Sequence, residues 1–152
     1  MMRASPQPSF DAILTAIAVK SAMVRTDSVQ TFCGLNVEKI SHGIQEGRFQ
    51  WVWDLNLGDN RRRELRFLAL EVFRPEITKS FTLEDAIRVV LGETRQSFVS
   101  GDIVRRFRIS RVSLSRLHRG GYLVGTISGG GFTTTRPALE TFLRQRWIGG
   151  GQ

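Results

Sequence analysis

The chain repeats its own pattern at an offset of 74 residues, and this periodicity constrains the fold more than any other feature. Asp11–Ile13 falls on Asp85–Ile87, and further along apolar positions fall on apolar positions and glycine falls on glycine. One offset serves a helix, a turn and a glycine stop without a gap. We therefore predict two copies of one plan, over residues 9–75 and 83–148, in place of a single mid-sized domain.

Each copy opens with a predicted helix, Phe10–Val19 in the first and Thr82–Leu91 in the second. Their apolar residues differ in position, so these helices either pack the two copies into one body or form a dimerisation surface. With the leading helices included, the predicted domains are 9–75 and 76–148, followed by a flexible glycine tail at 149–152.

The second copy predicts two short helices joined by a tight turn. Ser100 with Asp102 in the following turn is typical of a helix start, because a hydroxyl can accept from unpaired N–H groups and an acid favours the positive end of the helix. A cap at Ser110 opens a second helix that ends at Gly120, since a glycine after the last turn commonly terminates a helix. Two such helices have the layout of a helix-turn-helix.

The segment after these helices predicts a hairpin and a closing helix. Tyr122–Ile127 is predicted as a strand, Gly129–Gly131 as a flexible turn and Phe132–Thr135 as the returning strand. Pro137 suits the first turn of a helix. The apolar residues at helical spacing that would close the core are Leu139, Phe142, Leu143 and Trp147. The hairpin would form a wing beside the two helices.

The second copy also resembles a known family. It carries Ile-Ser-Arg-x-Ser-Leu-x-Arg-Leu over 109–117, then a glycine-tipped hairpin, then Arg-Pro-Ala-Leu-Glu-Thr-Phe-Leu over 136–143. This run resembles the winged helix-turn-helix of phage excisionases and of MerR and AlpA DNA-binding modules. The resemblance covers about 50 residues and is more specific for the fold than for the biological role. In that family the second helix enters the major groove and the wing contacts the neighbouring backbone or minor groove. The resemblance implies that Arg111, Ser113, Ser115 and Arg116 face the groove and that Thr133, Thr134 and Arg136 lie in or beside the wing.

The first copy follows the same plan with departures. Its second predicted helix starts at an Asn36 cap, but Glu38 and Glu46 on that helix repel phosphate. Gly43 stands where the second copy has an inward leucine, which costs about 1 kcal/mol of helix propensity relative to alanine. The candidate contacts on this helix are Lys39 and His42.

The first copy's predicted hairpin is more basic than its helix. Arg61, Arg62 and Arg63 lie at or just after its tip, which suits a minor groove or a row of phosphates. The aromatic residues on this hairpin, Phe49, Trp51 and Trp53, fit either a core or a stacking platform for single strands. The next stretch, Leu68–Phe73, fits a short helix as well as a continued strand.

Charge points to a polyanionic partner. The chain has 22 Lys and Arg against 14 Asp and Glu, a net charge of +8, and only three of the basic residues are lysine. The guanidinium fork binds phosphate and the guanine edge bidentately. Between Val99 and Gly121 there are six arginines and one acid. The first copy is close to neutral, so the second carries most of the positive charge.

Several classes of protein are excluded or disfavoured. One cysteine, Cys33, cannot form an intramolecular disulfide, and two histidines with it do not make a structural zinc set. No apolar run approaches the roughly 20 residues that span a bilayer, and the first residues lack the core of a signal peptide. His118 has no carboxylate or cysteine near it in the pattern, so we expect it to contact phosphate or to pack. We expect a cytoplasmic, nucleoid-associated protein with no cofactor, no metal and no membrane partner.

The sequence therefore predicts an α+β fold, mainly α with small β-hairpin wings, made of two tandem winged helix-turn-helix modules. The predicted function is non-enzymatic, sequence-specific binding of double-stranded DNA by a bacterial or mobile-element transcription regulator, alone or as a homodimer. The two copies would span successive groove sites about 10 base pairs apart. Two alternatives remain open: an excisionase-like factor that bends DNA and assists an integrase, and a protein-interaction module in which only the second copy contacts DNA. The backbone contacts would come from Arg105, Arg106, Arg119 and the arginines of 61–63.

Overall fold

In the computed structural model, residues 22–56 and 63–150 are described, and they form eight helices and six strands. The strands are β1 (Met23–Arg25), β2 (Val52–Asp54), β3 (Leu65–Leu68), β4 (Ser97–Val99), β5 (Thr126–Ser128) and β6 (Gly131–Thr135). The helices are α1 (Thr26–Cys33), α2 (Val37–Gln45), α3 (Ala69–Phe73), α4 (Pro75–Thr78), α5 (Leu83–Leu91), α6 (Ser100–Phe107), α7 (Arg111–Arg119) and α8 (Arg136–Arg146). The protein thus has the predicted mixture of helices and small antiparallel sheets.

The order of elements is the same in the two halves. Each runs strand, helix, helix, strand, strand, helix, and the antiparallel sheets have the matching orders β1-β3-β2 and β4-β6-β5. The bounds of β1, α1, α2 and β2 each recur 74 residues later as β4, α6, α7 and β5. The offset then falls to 66 at the first residue of the next strand, because only Gly129 and Gly130 join β5 to β6, whereas ten residues join β2 to β3. It is 67 from the last residue of that strand onward, since β6 is one residue longer than β3.

Local capping explains where the paired helices begin. The Ser113 N–H donates to Ser110 Oγ at 3.0 Å at the start of α7, and the Lys39 N–H donates to Asn36 Oδ1 at 2.8 Å at the start of α2. The prediction for α6 was wrong by one residue, since Ser100 is its first helical residue and not its cap. The Asp102 carboxylate instead accepts from the Val99 N–H, which precedes the helix.

The strands differ more from expectation than the helices do. The predicted strand Tyr122–Ile127 begins only at Thr126, and the stretch Leu68–Phe73 divides into the last residue of β3 and the helix α3. Strands β1 and β4 were not predicted at all. Each adds a third strand to a hairpin, and three residues are too few to show the alternation of apolar and polar side chains that marks a strand.

The first sheet is buried on both faces. Side chains alternate along a strand, so Val52 and Phe67 pack into a small core with α1 and α2, whereas the neighbouring Trp53 and Leu68 belong to a larger core shared with the second half. Trp51 in that larger core stacks on Trp147, with ring centroids 5.6 Å apart. The two halves therefore share the larger of the two cores.

The second leading helix is α5, and its packing favours the first of the two interpretations offered for it. Thr82 caps α5 in a capping box with Asp85, and apolar residues on more than one side of the helix are buried in the larger core, namely Ala86, Ile87, Val89, Val90 and Leu91. The other predicted leading helix, Phe10–Val19, lies outside the described residues.

Candidate nucleic-acid interface

Helix α7 turns a basic face away from the core. Leu114 and Leu117 are buried, each about 2% exposed, so at 3.6 residues per turn the opposite side of the helix is outward. The residues on that side are exposed, namely Val112, Ser115, Arg116 and Arg119, with Arg111 at one flank. The helix contains no acidic residue, so no carboxylate on it opposes the positive field of this face.

The first residues of α6 and α7 are tied together. Arg111 donates from Nη1 to Ser100 Oγ at 3.2 Å, which joins the N-terminal ends of the two helices. The one acid of α6, Asp102, is buried and ion-paired with Arg95 at 3.0 Å and Arg105 at 3.2 Å. The structure thus brings Arg105, Arg111, Ser115, Arg116 and Arg119 to the surface of these two helices, and Ser113 lies half-buried at the cap of α7.

Three of the predicted contact residues lie inside the fold. Thr134 is 3% exposed and donates to the Val124 carbonyl at 2.6 Å. Arg136 is 8% exposed, donates to the Arg95 carbonyl at 3.1 Å and pairs with Glu140. These two side chains lie in and just after the hairpin strand, as expected, but they are buried and engaged within the protein, so they do not project from it as DNA contacts would. Thr133, on the opposite face of β6 from Thr134, is half-buried.

Arg106 is the third of these residues. Its Nη1 donates to the Val90 carbonyl at 3.0 Å, and its guanidinium lies over the Phe98 ring, 6.0 Å from the centroid. Burial lowers the pKa of the Arg106 guanidinium from its usual value. Its stem covers apolar surface, as long cationic side chains often do, so Arg106 ties α6 to α5 and does not project with its neighbour Arg105.

The matching helix of the first half is not basic. At the positions of Arg111, Arg116 and Arg119, helix α2 carries Val37, His42 and Gln45. His42 Nε2 lies 2.9 Å from a Glu46 carboxylate oxygen, and Lys39 is exposed. Of the three hairpin arginines, Arg63 is exposed, and Arg61 and Arg62 lie outside the described residues.

A cleft of about 530 Å³ separates α7 from the first half's hairpin. Ser113, Arg116 and Arg119 line it from α7, together with Tyr122, and Leu55, Asn56 and Glu64 line it from the connection between β2 and β3. The outward face of α7 is therefore bordered by the base of the first hairpin. Nothing in the sequence pattern pointed to this juxtaposition.

Arg66 on β3 fixes one side of this cleft. Its side chain is buried and donates from Nε to the Phe107 carbonyl and from Nη2 to the Arg108 carbonyl, both at 2.9 Å. These carbonyls lie at the end of α6, where a helix leaves its last acceptors unpaired. Burial lowers the pKa of the Arg66 guanidinium from its usual value, partly offset by Glu64 at 3.3 Å. The first hairpin thus provides, through Arg66, the hydrogen-bond donor for the two carbonyls at the end of α6.

The end of α8 fixes the other side. Arg146 donates to the Asn56 carbonyl at 2.8 Å and lies over the Tyr122 ring, 5.1 Å from its centroid. Trp147 donates from Nε1 to the Gln50 carbonyl at 2.8 Å and pairs with Trp53 as a short extension of the first sheet. The expectation that Trp147 closes the second copy's own core is therefore too narrow.

Gly149, in the stretch predicted to be a flexible tail, continues this contact. A Cβ at Gly149 would overlap the Gln50 carbonyl oxygen. Only glycine therefore allows the chain to lie this close to the first sheet.

The remaining candidates for chemistry are packed within the structure. The His118 ring lies 4.9 Å from the Phe132 ring, with Nδ1 3.4 Å from the Leu123 carbonyl, and Trp51 and Trp53 are buried and so cannot stack on bases. Among residues 22–56 and 63–150, no three metal-ligating side chains lie close enough to hold an ion, and no helix there is long and apolar enough to cross a membrane. Comparison with known protein families, with curated proteins and with solved structures found no match.

Proposed function

We propose that this chain is a non-enzymatic, sequence-specific double-stranded DNA-binding protein, built of two winged helix-turn-helix modules in tandem, that regulates transcription in the cytoplasm. The observation that carries the proposal is helix α7. It is capped at Ser110, anchored by Leu114 and Leu117, and presents arginines without an acidic neighbour on the helix. The major groove of B-DNA admits one α-helix of this kind.

The side chains on α7 suit the edges of base pairs. Arginine binds guanine O6 and N7 bidentately, and an apolar side chain contacts the thymine methyl group. Arg116 and Arg119 supply the first kind of contact, and Val112, which is 59% exposed, supplies the second.

The sequence predicted Arg119 as a backbone contact and Arg111 as a groove contact. We exchange these two roles, because Arg119 lies on the side of α7 opposite Leu114 and Leu117, whereas Arg111 lies at the flank. Arg111 and, on α6, Arg105 are then placed to bind phosphates, which position a protein on the duplex without reading its sequence.

The tandem arrangement is supported by the order of elements. A strand, two helices, a hairpin and a helix follow one another in each half, and the sheets have matching strand orders. In both halves the first helix of the pair ends in a left-handed residue, Gly34 at φ 66° and Arg108 at φ 55°. A shared turn geometry at matching positions supports two copies of one module.

A second candidate function is favoured by the first half's surface. Helix α2 lacks the three arginines of α7, and Phe32 and Phe73 are 58% and 43% exposed with their rings in edge contact. Exposed neighbouring aromatic rings are typical of protein interfaces. In this candidate the first copy docks a protein, such as a second copy of the chain or an integrase, and only the second copy contacts DNA.

The test uses position-matched variants. Wild-type protein selects binding sites from a pool of randomised duplexes, and its affinity for a selected and a scrambled duplex is then measured at two salt concentrations. We expect Arg116→Ala to reduce the preference for the selected duplex by about tenfold, since a bidentate contact contributes about 1–3 kcal/mol of discrimination. The matched control is His42→Ala, the same position in α2.

Each outcome has a consequence. Enrichment of no sequence, or an unchanged preference in Arg116→Ala, would contradict the proposal. A bend in the bound duplex, measured by gel mobility of circularly permuted fragments, would favour the recombination factor over the regulator. Capture of a second copy through Phe32, abolished in Phe32→Ser while DNA affinity persists, would favour the protein-docking role for the first copy.

A further inference from the structure

Helix α7 is bordered on both sides by a hairpin. On one flank, His118 packs against Phe132 of β6 in the second half's own hairpin. On the other flank, Ser113 and Arg116 line the cleft whose far wall contains Asn56, at the base of the first half's hairpin. His118 and Ser113 lie on opposite sides of the buried stripe of α7, so the two hairpins stand to either side of its outward face.

The first hairpin is mounted rigidly in this position. Its strand β3 is joined to the end of α6 by the two Arg66 hydrogen bonds, and its strand β2 is joined to the end of α8 through Trp147 and the Ile148 N–H, which donates to the Val52 carbonyl at 3.0 Å. The sheet is also buried on both faces. Swinging the hairpin away from α7 would expose Trp53 and leave the Phe107 and Arg108 carbonyls without their donor, so the two elements move as one.

The first half's hairpin and its helix α2 differ in the charge that they present. At the base of the hairpin Arg63 is exposed, and the charge of the neighbouring Glu64, whose side chain is about half exposed, is balanced by an ion pair with Arg66 at 3.3 Å. Helix α2 would instead bring Glu38 to a phosphate row, and its His42 is paired with Glu46. The hairpin therefore suits a polyanion, whereas the helix does not.

We infer that the two halves form a single DNA-reading head, in which α7 enters one major-groove segment and the first half's hairpin serves it as a second wing. This inference rests on the proposed function and changes its geometry. The site is one tract of base contacts with backbone contacts on both sides, in place of two tracts about 10 base pairs apart. Helix α2 stays off the DNA, and Arg63 binds the backbone next to the tract that α7 reads.

Two footprints on the duplex selected by the full chain test the geometry. Methylation of guanine N7 reports contacts in the major groove, and hydroxyl radicals report protection of the backbone. We expect one tract of methylation interference, with hydroxyl-radical protection extending beyond it on both sides. Two interference tracts separated by one helical turn would overturn the inference.

Variants on the same duplex test the residues. Arg119→Ala should weaken binding about tenfold or more. Arg63→Ala should weaken binding to selected and scrambled duplexes alike and reduce the slope of log K against log salt by about 0.9, the value for one phosphate contact. The charge-matched control is Lys79→Ala, an exposed cation that follows α4 and lies outside the first half's hairpin; it should bind like wild type. Lys39→Ala tests α2 itself, and it should also bind like wild type if that helix stays off the DNA.

The outcomes distinguish a failure of the inference from a failure of the proposed function on which it rests. If wild type enriches no duplex, or Arg119→Ala binds as wild type does, the proposed function fails and the inference fails with it. If wild type binds and needs Arg119, yet Arg63→Ala leaves affinity and salt slope unchanged or Lys39→Ala loses affinity, the function stands and the single-head geometry is wrong.

Discussion

At the scale of single residues, Arg66 stabilises the contact between the two halves, a role that its position in a basic stretch of sequence does not indicate. Replacing it by methionine keeps most of the stem but leaves the Phe107 and Arg108 carbonyls without their donor. A buried acceptor that loses its partner costs about 1–3 kcal/mol, and the part-buried Arg108 carbonyl costs less than the buried Phe107 carbonyl. We therefore expect Arg66→Met to lower the free energy of unfolding by about 2–4 kcal/mol in urea titrations.

Arg74→Met is the control, because Arg74 is exposed in the same half of the chain and pairs with Glu76 at the surface. An exposed ion pair contributes about 0–1 kcal/mol, so this variant should unfold close to wild type. Equal losses in the two variants would show that the buried hydrogen bonds of Arg66 carry no special weight.

Glu71 gives the stability of the first half a pH dependence. Its buried carboxylate accepts from the N–H groups of Gln50 and Trp51, at 3.1 and 3.0 Å, but burial is the larger effect and raises the pKa of this carboxyl from its ordinary 4.5. A folded-state pKa above the unfolded one means that the folded state binds more protons in this range. The contribution of Glu71 to stability is therefore greatest in acid and declines as pH rises through the folded-state pKa.

Glu71→Gln removes this titration. We expect the free energy of unfolding of wild type, relative to the variant, to fall as pH rises from below 4.5 towards neutrality, measured by urea titration at each pH. A difference that stays constant or grows with pH would mean that the two N–H donors outweigh burial.

At the scale of elements, the end of α6 is held in a conformation that its residue does not favour. Arg108 has φ 55°, the only positive φ at a non-glycine residue among those described, and the matching position at the end of α1 is Gly34. The left-handed conformation costs a residue that has a Cβ about 1–2 kcal/mol. Glycine avoids this cost, but part of the gain is lost because glycine also increases the conformational entropy of the unfolded chain. Arg108→Gly should therefore raise the free energy of unfolding by about 0.5–1 kcal/mol.

The same substitution within α7 gives the contrast. Arg116→Gly places glycine in a regular helix, where it costs about 1 kcal/mol relative to alanine. Opposite signs for the two variants in parallel thermal melts would support the account, and a loss of stability in Arg108→Gly would contradict it.

The elements that could be predicted from the sequence are those with local signals. Asn36 and Ser110 accept from N–H groups three residues onward, so α2 and α7 start where a cap code places them. Strand β1 has no such signal, because it exists only by pairing Met23 with Leu68, far along the chain. Predicting such a strand requires the tertiary fold.

The sequence pattern also did not show that an exchange at one position is compensated by an exchange at another. Gly43 in α2 stands where α7 has Leu117, and the ring of Phe49 fills the space, since a Cβ on Gly43 would lie 3.1 Å from it. The second half has Leu123 at the position of Phe49. In the sequence, each exchange alone is a departure from the repeat. Together, the two exchanges preserve the packing of the helix on its sheet.

At the scale of the whole molecule, the count of arginines is a poor measure of the surface field. Arg66, Arg106, Arg136 and Arg146 donate to backbone carbonyls within the fold. Sequence reasoning could place a basic helix at 111–119 from its caps and spacing. It could not separate the arginines that join elements from those that face outward, because burial depends on the packing of both halves.

Because the two halves share a core, the chain should unfold as one unit. All three tryptophans lie where the first sheet meets the second half, namely Trp51, Trp53 and Trp147. Their fluorescence therefore reports unfolding of the contact between the two halves, whereas far-UV circular dichroism reports unfolding of the helices in both halves. We expect the two urea titrations to have the same midpoint, as a two-state transition requires. Two independently stable modules would instead open at the joint first, and the fluorescence midpoint would then lie at lower urea than the dichroism midpoint.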